Sequence, residues 1–285
     1  MSSIAIMGAG GKMGCRLTDN LRKYQHRLYL VEVSEPGLAN VRSRGLEPTP
    51  QTEALAAAEV VILAVPDRVL GPISHDVIPK VRPGALVITL DPAVAHAGGL
   101  APRPDISYFV THPCHPSVFE PFESATERDD FFGGIAARQA IVCALMQGPE
   151  AHYALGESLA RQFYGPVHRA HRITVEQMAI LEPAMAETVG ICLNLALREA
   201  LEEAVRRGVP RAAAEDFMFG HVKVELGIAF GRVGFPFSDG AKLLAEYGRR
   251  HLLQPDWKKL FEPASVREQV GMIVAGKLPP SDTSS

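Results

Sequence analysis

Short apolar runs alternate with amphipathic stretches through the first part of the chain. Ile4, Ala5, Ile6 and Met7 form an apolar run that stops at Gly8. Residues 16–24 have helical spacing, and residues 28–33 read as a second strand. Residues 59–65 are nearly all apolar and partly β-branched, the pattern of a parallel strand covered on both faces, and Pro66 ends the run. A helix is predicted over residues 69–81, a turn at Pro83-Gly84 and a strand over residues 85–90. Residues 108–111 open another strand that stops at His112-Pro113. The stretch 133–143 adds a further one, and residues 153–163 a helix. Strands alternating with helices of this length make βαβ units, and so an α/β fold with a doubly wound parallel sheet.

Beyond residue 170 the period changes. Residues 173–207 repeat their apolar positions at helical spacing, and Gly208-Val209-Pro210 closes the stretch. A second helix is predicted over residues 211–230, broken by Gly231 and Gly234-Phe235-Pro236. Ser238 is placed to cap a third that runs to about residue 250. Residues 266–275 read as the last helix and residues 279–285 as a frayed polar tail. The expected organisation is an α/β domain over residues 1–170 followed by an all-helical domain over residues 171–285, which would bind substrate and dimerise.

Composition narrows the function. The chain has 285 residues, 47% of them hydrophobic and 21% charged, enough to bury a core. With 29 basic and 32 acidic residues the net charge is −3, which argues against a polybasic nucleic-acid or membrane-surface binder. No apolar run is expected to reach the roughly 18 residues that span a bilayer. The nearest, residues 178–197, holds Glu182, Glu187 and Asn194. Met1, Ser2 and Ser3 lead straight into the first strand, without a secretory signal pattern. Cys15, Cys114, Cys143 and Cys192 lie far apart with no CxxC pair, as reduced thiols in a cytoplasm would. The expectation is a cytoplasmic protein with no nucleic-acid or membrane partner.

The segment Gly8-Ala9-Gly10-Gly11-Lys12-Met13-Gly14 sits between the first strand and the first helix, the context a dinucleotide loop requires. Glycines there permit the turn, let backbone amides approach a pyrophosphate and allow close helix–strand packing. Glu32 ends the second strand, where a carboxylate accepts hydrogen bonds from ribose hydroxyls and repels a 2′-phosphate; this favours NAD over NADP despite nearby Arg42 and Arg44. Pro66 and Asp67, after the third apolar run, are expected to lie over the cofactor. The first domain is thus predicted to be a Rossmann domain with Gly8, Gly10, Gly11, Lys12, Met13, Gly14, Glu32 and Pro66 at the cofactor.

The loop is GxGxxG lengthened by one residue, and this resembles prephenate dehydrogenases and dihydrodipicolinate reductases. The His-rich segment with a nearby lysine that marks those reductases is missing. Thr111-His112-Pro113 resembles the strand-ending His-Pro motif of prephenate dehydrogenases, which lies near the nicotinamide. His171-Arg172 and Glu182-Pro183 stand where that family opens its helical domain and places a proline in its first long helix. Glu182 and Glu187 replace that family's helix histidines, which argues against a ring-aromatising decarboxylase. Hydroxyacid and phosphogluconate dehydrogenases use a lysine with an asparagine on the corresponding helix, but residues 174–207 contain no lysine. The run from Gly220 through His221 and Lys223 to Leu226, with Phe237-Ser238-Asp239-Gly240, resembles a small phosphogluconate-dehydrogenase-like family. That resemblance implies NAD-dependent oxidation of a branched sugar acid with the shift of a carbon substituent.

Oxidation of a carbinol needs a base. His112 ends a strand and its imidazole suits the proton transfer; the alternative is a histidine that caps a turn. His115 faces either the same cleft or solvent. Pro183 is expected to kink its helix, so that Glu182 either presents a carboxylate to the cleft or lies on an amphipathic surface. Glu187, about 140° further round an α-helix, points elsewhere. His112 with Glu182 suits a divalent metal, zinc or magnesium. A metal across adjacent hydroxyl and carbonyl oxygens would ease both oxidation and the implied acyloin-type shift. Asn194 and Arg198 either bind a substrate carboxylate or leave Arg198 to pair with Glu202. His221 and Lys223 are candidates to reach the site from their own or a second subunit. Helices 178–197 and 222–230 are apolar all round, as in a homodimer. The reading is an NAD-dependent oxidoreductase acting on a CH–OH group of a small hydroxy acid. Prephenate or arogenate dehydrogenase is the enzymatic alternative, and an NAD-binding regulatory protein the non-enzymatic one.

Overall fold

The computed structural model describes residues 1–278, so the expected frayed tail at 279–285 lies outside the described residues. Compactness divides the chain into residues 1–182 with those from Arg267 onward, and a second unit, Pro183–Val266. The boundary expected at residue 170 instead falls inside a strand.

The first unit is built on a seven-stranded sheet. Its strands are β1 (Ser3–Met7), β2 (Arg27–Val31), β3 (Val60–Leu63), β4 (Leu86–Thr89), β5 (Ser107–Pro113), β6 (Gln139–Gln147) and β7 (Val167–Arg172), in the order β2-β1-β3-β4-β5-β6-β7. The β1, β3 and β4 runs are wholly apolar apart from Ser3 and Thr89 because both faces are covered. Ala5, Val61 and Val87 belong to one buried cluster, while Ile4, Ile6, Ile62 and Ile88 belong to the other. Helices α1 (Lys12–Leu21) and α7 (Glu150–Phe163) supply Leu17, Leu21, Leu159 and Phe163 to the second cluster. Helices α2 (Glu35–Arg42), α3 (Gln51–Ala57) and α4 (Asp67–Val77) connect the early strands. Short helices α5 (Ala93–His96) and α6 (Ala125–Asp129) follow β4 and β5.

The sheet is mostly parallel, as expected, with two features at its far edge that the periodicity does not specify. β5 and β6 pair antiparallel, with His112 opposite Val142, and β7 then pairs parallel to β6. β7 escapes a periodicity reading because His168, Arg169, His171 and Arg172 are exposed on an edge strand. Charge on such an edge discourages pairing with another chain. The first helix also starts earlier than expected, at Lys12 directly after the glycines, with Gly11 extended at its N-cap.

Helix α8 (Val175–Ala179) opens with a reciprocal cap between Thr174 and Gln177. From Ile180 to Ile191 the chain is π-helical, with Pro183 inside it. The expected proline kink in an α-helix is therefore replaced by a wider i→i+5 turn, and the 140° offset assumed for Glu187 does not apply. Among the described residues one helical stretch, Val175–Arg206, is long and apolar enough to cross a membrane by length and composition alone. This corrects the expectation that no run reaches that length, since its scattered charges leave a window with a mean hydropathy of 1.4.

The second unit is helical: α9 (Cys192–Arg206), α10 (Arg211–Ala229) and α11 (Asp239–Leu252), with α12 (Pro263–Ala275) beginning at its end. Ser238 caps α11 by accepting from the Ala241 amide at 3.2 Å, as its position predicts. Glu202 pairs with Arg211 at 2.6 Å, and Arg198 adds a weaker pull on the same carboxylate.

Candidate active site

The chain leaves β1, returns on one side as β2, and crosses to the other side as β3. Ligands of open α/β sheets bind at such a switch, outside the carboxyl ends of the strands. Two adjoining cavities occupy that crevice, of about 390 and 440 Å3, and both are walled by Gly11, Lys12, Ala64, Val65 and Pro66.

The smaller cavity has Gly8, Gly10, Glu32, Ser34 and Asn40 in its wall. Gly8 takes a φ of +78°, and a Cβ there would lie 2.5 Å from the Ala64 carbonyl oxygen. Gly14 lines neither cavity but packs beneath the loop, where a Cβ would lie 2.1 Å from the Gly8 carbonyl oxygen. The Glu32 carboxylate organises the turn: Oε2 accepts from the Gly10 amide at 2.9 Å, while Oε1 accepts from the Val33 and Ser34 amides, each at 2.9 Å. Burial pushes its pKa up, but the amides of Ser34, Val33 and Gly10 outweigh this and hold the carboxyl below its ordinary value. A lowered folded-state pKa contributes stability that is present above the unfolded value of about 4.3 and is lost as pH falls below it. Glu32→Gln is therefore expected to shrink the difference in melting temperature between pH 7 and pH 3.5. An unchanged difference would place the acid sensitivity elsewhere.

The larger cavity holds the candidate chemistry. His112, one residue before the end of β5, donates Nδ1–H to the Leu90 carbonyl at 2.9 Å. That bond sets the tautomer and leaves Nε2 as an acceptor, 3.9 Å from Glu182 Oε1. Asp91, just past β4, accepts the Ala93 amide through Oδ1 at 2.7 Å and holds Oδ2 3.9 Å from His112 Nδ1. One ligand atom from each of Asp91, His112 and Glu182 lies within 4.8 Å of the others, a donor set of two carboxylates and one imidazole that suits a divalent cation. Burial pushes the His112 pKa below its ordinary value against the pull of Asp91 and the Leu90 bond, and His115 adds to the lowering.

His112 and Glu182 thus come together as the sequence suggests, and Asp91 joins them. Lys12, Met13 and Pro66 line this cavity too. So does His115, held at a φ of +60° with Nδ1 bonded to the Phe132 carbonyl at 3.0 Å, a strained backbone for a non-glycine residue. In the second unit, Asn194 and Arg198 line a separate cavity of about 330 Å3 with Arg211 and Glu215. His221 stacks on Phe217 and bonds its carbonyl, and Lys223 is exposed. The sequence reading missed Asp91, Arg16, Phe132 and Gln139. Only Asp91 carried a signal, an acid directly after a buried parallel strand.

Fold and crevice define a Rossmann-type oxidoreductase. The phosphogluconate dehydrogenase (decarboxylating) C-term family matches residues 122–274. D-apionate oxidoisomerase from Cupriavidus necator is 46% identical over 271 residues, covering 95% of this chain and 98% of that one. The enzyme of the same name from Rhizobium rhizogenes is 46% identical over 274 residues, covering 96% and 100%. The chain belongs to the D-apionate oxidoisomerase family. Its structure superposes with a TM-score of 0.94 on a semialdehyde dehydrogenase NAD-binding protein from Cupriavidus necator in complex with calcium and NAD. That protein is 45% identical, with 96% of this chain and 99% of that one covered.

Proposed function

We propose that this protein oxidises D-apionate, a branched sugar acid, with NAD and couples the oxidation to migration of a carbon substituent. The observation that carries the reading is the convergence of Glu182 on Asp91 and His112, two residues that line a cavity walled by the glycine loop. The family's shared name and the NAD in the crystallised relative support it.

The amides of Gly8, Ala9, Gly10 and Gly11 donate within the protein, so the N-terminus of α1 would hold the pyrophosphate, and Glu32 the adenosine ribose. NAD, when bound, accepts the hydride from the substrate carbinol. His112 Nε2 takes the hydroxyl proton as that carbinol becomes a ketone, while the Leu90 carbonyl keeps the ring oriented and Nδ1 protonated. Glu182 and Asp91 stabilise the imidazolium that results. The carboxylates of Asp91 and Glu182 would hold a divalent cation, because Nε2, the one unprotonated nitrogen of the His112 ring, is the atom that takes the proton. Such a cation supplies Lewis-acid polarisation of adjacent hydroxyl and carbonyl oxygens, useful to oxidation and to an acyloin-type shift alike. The calcium of the crystallised relative supports a hard cation, of the magnesium kind more than zinc.

The second unit exposes Leu193, Leu195, Leu197, Phe217, Phe219 and Val224, and we propose that a homodimer covers them. The four free thiols support a cytoplasmic location.

The test is NADH formation from D-apionate beside a panel of aldonic acids and prephenate, with and without a chelator. Turnover of D-apionate that falls at least tenfold on chelation and returns with added cation is the expected result. Turnover of prephenate alone would overturn the reading, and chelator-insensitive turnover would remove the cation from it.

A further inference from the structure

We propose that the wall of the larger cavity formed by Arg16 and Lys12 is the subsite for the substrate's carboxylate, with Arg16 its specificity-determining residue. This rests on the sugar-acid reading above and says how the acid is oriented.

Charge is divided along the cavity. Asp91 and Glu182 converge on His112, so a substrate carboxylate beside them would meet like charge. Lys12 and Arg16 are the lining residues of fixed positive charge, and among the described residues neither meets a carboxylate within 4.0 Å. Both lie against Phe132: Lys12 Nζ is 4.0 Å and Arg16 Cζ 5.6 Å from its ring centroid. The Phe132 ring meets His115 edge-on at 5.9 Å, and His115 meets His112 at 6.2 Å. The wall therefore runs in order from the two cations across Phe132 and His115 to the reacting imidazole.

A second observation lies in the same wall. Gln139 is 1% exposed and donates Nε2–H to the Tyr164 carbonyl at 2.7 Å, while its Oε1 has no hydrogen-bond partner. Oε1 is itself closed to solvent, so this orphaned acceptor backs the wall rather than reaching into the cavity. A chain with a carboxylate at one end and hydroxyls beyond it matches this sequence of cations, aromatic ring and base. Arg16 adds what Lys12 does not, a planar fork that grips both carboxylate oxygens.

The cofactor's phosphates are a second source of negative charge, and Lys12 begins the helix that would face them. The test therefore uses Arg16→Gln and the conservative Arg16→Lys, each checked by thermal unfolding. Arg16→Gln is expected to raise the KM for D-apionate about 10–100-fold with a smaller change in kcat, as loss of a charge-assisted bond does. The Kd for NADH, read by nicotinamide fluorescence, is expected to stay within about twofold, and Arg16→Lys to recover part of the KM. Wild type should prefer the acid to its neutral amide, and Arg16→Gln should lose that preference. A weakened NADH Kd with an unchanged KM would give Arg16 to the cofactor and overturn the subsite. If wild type does not oxidise D-apionate, the reaction reading fails. The subsite is then judged by thermal shift with the acid and its amide in the presence of NADH. Acid-selective stabilisation that Arg16→Gln abolishes supports it, and equal stabilisation of both variants overturns it.

Discussion

Replacing His112 with asparagine is expected to lower kcat for oxidation by about 10²–10⁴-fold, the usual contribution of a positioned general base. Asparagine keeps a polar group near the Leu90 carbonyl but has no titratable acceptor to stand where Nε2 faces Glu182. NADH affinity is expected to be nearly unchanged, because the cofactor amides come from the N-terminus of α1. Fluorescence titration of NADH beside steady-state kinetics separates the two effects. If kcat falls by less than about threefold, His112 caps its strand and another group takes the proton. A loss of NADH affinity equal to the loss of kcat would make the residue a cofactor contact instead.

A comparable loss is expected from Gly14→Ala, by a different route. The new Cβ would lie 2.1 Å from the Gly8 carbonyl oxygen and 2.7 Å from Ala9 Cα, so helix α1 must move off the loop. Overpacking of this kind costs about 1–3 kcal/mol of stability. It also misaligns the amides that would hold the pyrophosphate. Each hydrogen bond to a charged group contributes about 1.5–3 kcal/mol, so losing two weakens NADH binding on the order of 10²-fold or more. Gly248→Ala in α11 is the control, since its Cβ would meet nothing within 4 Å and alanine favours a helix. Equal NADH affinity in the two variants would mean that the loop does not hold the dinucleotide.

The parts of the site that could be read from the sequence are those whose chemistry is local. Gly8 to Gly14 sit between a strand and a helix, and Glu32 ends the next strand, so spacing alone placed them in one turn. His112 was legible because a proline follows it at a strand end. Asp91 was not, because a lone acid after β4 is indistinguishable from a turn residue until β4 and β5 are known to be neighbours. Arg16 reads as one more polar position of an amphipathic helix. Phe132 lies beyond β5, in a stretch whose path no periodicity specifies, and Gln139 opens β6 as a polar residue that nothing in the sequence assigns to a cavity wall.

Apolar period, glycine spacing and capping residues are short-range properties, so the chain alone already dictated the buried strands, the dinucleotide turn and the helical character beyond residue 173. Through-space facts were left to the folded chain: the antiparallel β5–β6 pair, the polar edge strand β7, the π-helix around Pro183 and the meeting of Asp91 with His112 and Glu182. The reason is that strand order brings together residues from separate crossover connections. An edge strand and a π-turn, for their part, take their geometry from neighbours rather than from any repeat in their own residues.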